Sequence, residues 1–115
     1  MSKTKEPINN GTSHNMLSVG TKIIGNIFTE NDIRIDGELE GDVACSSKII
    51  LGTTGVITGS ANCANAEIMG KIEGKIVASE LVSLKASSHF KGEIATKLIA
   101  IEPGATFTGT LKTDA

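Results

Sequence analysis

Apolar and polar positions fall into two short phrases that alternate along the chain. The first is apolar-x-Gly-x-apolar. It reads Ile23-Ile24-Gly25-Asn26-Ile27, Leu39-Glu40-Gly41-Asp42-Val43 and Ile57-Thr58-Gly59-Ser60-Ala61. It returns as Ile72-Glu73-Gly74-Lys75-Ile76, Phe90-Lys91-Gly92-Glu93-Ile94 and Phe107-Thr108-Gly109-Thr110-Leu111, with successive glycines 16, 18, 15, 17 and 17 residues apart. The second phrase, apolar-x-apolar, sits between the copies as Ile33/Ile35, Ile49/Leu51, Ala66/Ile68, Val82/Leu84 and Ile99/Ile101, spaced 16, 17, 16 and 17 residues apart. Two independent phrases keeping one period identify an internal repeat.

Each phrase reads as strand. Alternate residues of a strand share a face, so the first, third and fifth positions point inward and the second and fourth outward. The outward pairs Glu40/Asp42, Thr58/Ser60, Glu73/Lys75, Lys91/Glu93 and Thr108/Thr110 are all polar; Ile24/Asn26 departs. Glycine at the middle inward position leaves space or permits a bend that a Cβ would block. A repeat near 17 residues is too short for a βαβ unit, which needs about 30. It fits one coil of a solenoid, and six coils stacked about 4.8 Å apart make a rod roughly 29 Å long. The fold class expected is therefore all-β, a single-domain parallel β-helix over residues 17–112. It is preceded by a disordered polar tail, 1–16, and followed by a short C-terminal tail, 113–115. The spacing of Ile27, Ile33, Leu39, Cys45, Leu51, Ile57 and Cys63 suits left-handed hexapeptide coils, but that register fails at Lys75. The variable coil length favours a right-handed form.

Composition agrees. The chain has 115 residues, no Trp or Tyr, three Phe and thirteen Gly, which suits β-structure with tight corners. A net charge of −2 predicts no nucleic-acid partner. No apolar run approaches the ~18 residues of a membrane span, and the polar start lacks a secretory segment. A cytoplasmic location is the expectation.

The ordered series of phrases resembles the bactofilins, bacterial polymer-forming cytoskeletal proteins. The resemblance is carried by Val19-Gly20-Thr21-Lys22-Ile23-Ile24-Gly25-Asn26-Ile27, by residues 33–41 and by Pro103-Gly104-Ala105-Thr106-Phe107-Thr108-Gly109, and it covers residues 17–112. It implies a right-handed β-helix that forms non-polar filaments without nucleotide, through alternating N-to-N and C-to-C contacts. It also implies a scaffold in cell shape or localised cell-wall synthesis, recruiting cell-wall enzymes or membrane proteins at the inner face of the cytoplasmic membrane. The basic start suits weak membrane contact through Met1, Lys3 and Lys5.

Physics points the same way. An uncapped solenoid end exposes unpaired N–H and C=O groups above apolar side chains, and two such ends meeting remove both edges. The C-terminal face is expected to comprise Phe107, Ile99, Ile101 and Leu111, and the N-terminal face Leu17, Val19, Ile23 and Ile27. Little else offers chemistry. Gly104 to Thr110 lacks the lysine of a phosphate-binding loop, so no nucleotide or other cofactor is expected. Two histidines and two cysteines do not make a metal site. Cys45 and Cys63 follow their phrase glycines by four residues, which stacks them as reduced, partly buried thiols in the column Thr29, Cys45, Cys63, Ala78, Thr96, Thr113. Two alternatives stand beside the polymer. One is a hexapeptide-like acyltransferase trimer using His89. The other is a monomeric binding module docking a basic partner on the acidic run 30–42, where six carboxylates face only Arg34.

Overall fold

The computed structural model describes residues 14–113. They form nine parallel strands: β1 His14–Leu17, β2 Lys22–Thr29, β3 Asp32–Ile35, β4 Glu38–Cys45, β5 Lys48–Leu51, β6 Val56–Ile68, β7 Lys71–Leu84, β8 His89–Ile101 and β9 Thr106–Thr113. β1 lies on β3, β3 on β5 and β5 on the end of β6, while β2 lies on β4 and β4 on the start of β6. β6 to β9 then stack in order. The chain is an all-β parallel solenoid of about six coils.

Register makes the repeat physical. The six phrase glycines pair in one column, Gly25, Gly41, Gly59, Gly74, Gly92 and Gly109. Each has φ between +137° and +142°, a region open essentially to glycine, and each bends its strand. From Gly41 onward, a Cβ here would overlap the carbonyl oxygen of the glycine one coil nearer the N-terminus. The glycine therefore serves both the bend and the close stacking.

Five inward columns fill the core. Ile23, Leu39, Ile57, Ile72, Phe90 and Phe107 form one, and Ile27, Val43, Ala61, Ile76, Ile94 and Leu111 another. The second phrase supplies two more, and interior members of all four are buried. The fifth is the corner column that contains the cysteines. Burying each Ile, Leu or Val contributes about 1.5–3 kcal/mol. Coils close through tight turns with backbone bonds such as Thr21 N–H to Ser18 O, Gly55 N–H to Gly52 O, Ser88 N–H to Lys85 O and Ala105 N–H to Glu102 O. The 15-residue spacing arises where Met69-Gly70 alone joins β6 to β7, and register shifts at Cys63/Asn65 and Ala78/Leu81 absorb the uneven lengths.

Boundaries move slightly. The first strand begins at His14, three residues before the expected start of the rod, because Asn15 and Leu17 pair with Ile33 and Ile35 and so extend the second-phrase columns. At the other end β9 runs through Thr113. Residues 1–13, with Met1, Lys3 and Lys5, lie outside the described residues, and with them most of the expected tail. No helix among the described residues is long and apolar enough to cross a membrane.

Candidate functional site

The two ends of the solenoid leave their ladders open. Among the described residues, β1 pairs at the N-terminal end only with β3 and β2 only with β4. At the C-terminal end, again among the described residues, β9 pairs only with β8, and Leu98–Ile101 of β8 pair only with the coil beneath. Among the described residues, each end thus presents a strand edge with no further paired strand, beside the final members of the apolar columns.

Ile99, Ile101, Phe107 and Leu111 lie together on the last coil. Ile99 and Phe107 are half-buried, while Ile101 and Leu111 are exposed. One face of Phe107 rests on buried Phe90, with ring centroids 5.6 Å apart and planes tilted by 39°. Among the described residues, no further coil lies on its other side. At the opposite end Ile23 and Ile27 are half-buried. The other two residues expected there differ. Leu17 is already buried in the core, and Val19, 68% exposed, sits in the β1–β2 turn rather than on an edge strand. Its place in a turn puts it outside the two-residue alternation that would aim it inward.

Three residues absent from the sequence expectation are exposed on the first coil: Met16 at 63%, Ile24 at 74% and Phe28 at 76%. They point outward, not along the axis. The polar alternation failing at Ile24 was the signal for them. Leu98, also outward and 59% exposed, is their counterpart at the C-terminal end.

The cysteine column falls at a corner. Cys63 continues to Ala78, Thr96 and Thr113, and Thr29 pairs with Cys45. Its members satisfy corner backbone: the Cys45 thiol donates to Asn31 O at 3.2 Å and accepts from the Ser47 N–H at 3.4 Å. Thr96 Oγ1 likewise donates to Leu98 O at 3.0 Å. Both thiols are free and buried. Burial, with Cys45 nearby, pushes Cys63 up to about 12. Burial also raises Cys45, against the opposing Ser47 hydrogen bond. Such thiols are poor nucleophiles.

The acidic run is tied into the coils. Asp32 accepts from Ser47 Oγ and from the Lys48 N–H, Asp36 from Arg34 Nε at 3.0 Å, and Asp42 from Ser60 Oγ at 2.6 Å. Glu40 meets Lys22 at 3.4 Å. Much of the charge is therefore spent on coil-to-coil contacts. His89 is exposed at the start of β8, and no cluster of three metal-ligating side chains occurs among the described residues. The register aligns Glu73 with Lys91 and Lys75 with Glu93, yet Glu73 contacts Lys71 of its own strand at 3.7 Å.

Known proteins share this architecture. The chain is 32% identical over 98 residues to Bactofilin BacO of Myxococcus xanthus (strain DK1622), covering 84% of this chain and 78% of that protein. It is 30% identical over 93 residues to Bactofilin BacP of the same organism, covering 79% of this chain but only 39% of BacP. Among solved structures, the solid-state NMR structure of the cytoskeletal bactofilin BacA superposes with a TM-score of 0.79 at 32% identity, covering 89% of this chain and 98% of the chain in that structure. The cryo-EM reconstruction of Thermus thermophilus bactofilin double helical filaments superposes with a TM-score of 0.78 at 22% identity, over 84% of this chain and 96% of that one. The family model described as Bactofilin, polymer-forming cytoskeletal, matches residues 15–112, and with it the chain belongs to the bactofilin family.

Proposed function

We propose that this chain assembles end to end into nucleotide-independent, non-polar filaments. These filaments act as a cytoskeletal scaffold for cell shape or localised cell-wall synthesis by recruiting partners. The observation that carries the reading is that, among the described residues, both ladders end without a further strand, each beside apolar columns whose last members are Ile23 and Ile27 or Phe107 and Leu111. Stacking two such ends extends the columns and removes two aggregation-prone edges at once. The order of contacts, N-to-N alternating with C-to-C, is taken over from the family.

Sedimentation and electron microscopy of purified protein test it. Filaments should form equally with ATP, GTP, magnesium or EDTA, since no phosphate-binding loop is present in the sequence. Discrete monomers under all these conditions, or an absolute need for one additive, would defeat the proposal.

A further inference from the structure

The outer wall of the solenoid changes character at the first coil. Along the outward column of the second coil and beyond, Ile24 is followed by Glu40, Thr58, Glu73, Lys91 and Thr108. Phe28 is followed by Ala44, Asn62, Val77, Ala95 and Lys112, and Met16 by Arg34, Ile50, Glu67, Ser83 and Ala100. Only on the first coil do all three positions carry a large, exposed apolar side chain. That rim therefore differs from the more polar wall of the following coils, and large apolar side chains gathered at one rim suit contact with another surface better than contact with water.

We infer that Met16, Ile24 and Phe28 form an outer apolar belt that seals a head-to-head joint between the N-terminal coils of two copies. The inference rests on the end-to-end assembly proposed above and extends it from the ladder edge to the outside wall. The chemistry of the columns selects the occupant. A head-to-tail joint that continued the interior register would set Thr108 beside the next copy's Ile24 and Lys112 beside its Phe28, polar against apolar. A two-fold joint is isologous and reverses the partner's strands, so outward residues of β1 and β2 meet outward residues of the same two strands. With the axis at Asn26, Ile24 of each copy meets Phe28 of the other and the polar Asn26 meets itself. An anionic bilayer suits the belt poorly, because Glu40 neighbours Ile24, Asp42 neighbours Asn26 and Glu38 neighbours Lys22 in register.

Because the belt is exposed in the single copy, its substitution separates assembly from folding. Phe28→Lys, Phe107→Arg and the double variant are compared by electron microscopy and analytical ultracentrifugation, with thermal melts followed by circular dichroism. Phe28→Lys should melt as the parent does and form no filaments, stopping at dimers joined through the C-terminal coil. Phe107→Arg should stop at dimers joined through the N-terminal coil, and the double variant should be monomeric. Ile24→Thr, which adds no charge, should raise the critical concentration in the same direction. Normal filaments from Phe28→Lys, or a double variant that stays dimeric where Phe107→Arg alone also stops at dimers, would overturn the belt while leaving end-to-end assembly intact. So would single filaments that merely lose lateral bundling, filaments that merely lose binding to phosphatidylglycerol vesicles, or a Phe28→Lys variant that unfolds. A parent protein that forms no filaments would instead sink the underlying reading.

Discussion

At the scale of single residues, the corner column shows how one position meets two demands, small volume and a hydrogen-bonding group. Thr29, Cys45 and Thr96 reach backbone at the turn, and Cys63 takes the same place with a nearly unpartnered thiol, 3.9 Å from Val77 O. The raised Cys63 pKa has a consequence for stability. The unfolded thiol titrates near 8.5, about the ordinary value, whereas the folded one is held protonated up to about 12. Below the unfolded pKa both states carry the proton, and stability is undiminished. As pH rises from there toward the folded value, the unfolded chain alone gives up its proton and the fold loses stability. Urea melts of Cys63→Ala and the parent should therefore diverge in their pH slope only above roughly pH 8.5, with the parent falling more steeply. Iodoacetamide at neutral pH should label both cysteines slowly until denaturant is added.

At the scale of elements, the glycine column links strand shape to stacking. Gly59→Ala forces an L side chain into positive φ and drives its Cβ into the Gly41 carbonyl oxygen. Strain of this kind costs about 1–3 kcal/mol before any clash is added, so a loss of at least about 3 kcal/mol is expected in chemical denaturation. Gly25→Ala has the same positive φ, but nothing lies within 4 Å of its Cβ. It should lose only the strain, about 1–3 kcal/mol. Every other phrase glycine aims its Cβ at the coil on its N-terminal side, so the Gly25 methyl points off the open face. Gly25→Ala should accordingly remain folded yet assemble poorly, and filaments of normal length from this variant would contradict the geometry. The cross-coil ion pairs, such as Lys48–Glu67 at 3.4 Å and Lys85–Glu102 at 3.5 Å, are solvent-accessible and add little by comparison.

For the whole molecule, the decisive feature is that the repeat stops without a cap among the described residues. Phe107 is where this matters most. It packs on Phe90 as an interior residue would, but among the described residues no coil lies on its other side and it stays only half-buried. Phe107→Arg should leave coils one to five intact, because Phe90 keeps its neighbour Ile72 beneath it. Across a C-to-C contact the same change sets like charges together in a desolvated interface, which is costly. A soluble, β-rich protein without filaments is expected by circular dichroism and electron microscopy. Filaments of normal length would remove Phe107 from the interface, and an unfolded variant would make it a core residue.

Much of this was legible in the residues alone. The inward columns, the glycine column and the stacked cysteines all follow from a repeat of about 17 residues, because in a solenoid each contact is set by its nearest repeat. The bend at glycine was legible as a need for space, though its positive φ was not. What only the tertiary structure decided concerns positions outside the two-residue alternation and the direction each end residue faces. Val19 falls in a turn, Leu17 lies buried on an edge strand, and His14 to Met16 join the first coil because β3 supplies a partner for them. The outward belt of Met16, Ile24 and Phe28 belongs to the same class. In sequence its members are 8 and 4 residues apart and follow no shared phrase. Only the closure of the coil, with β1 and β2 on one level, brings them to the rim of the same open end.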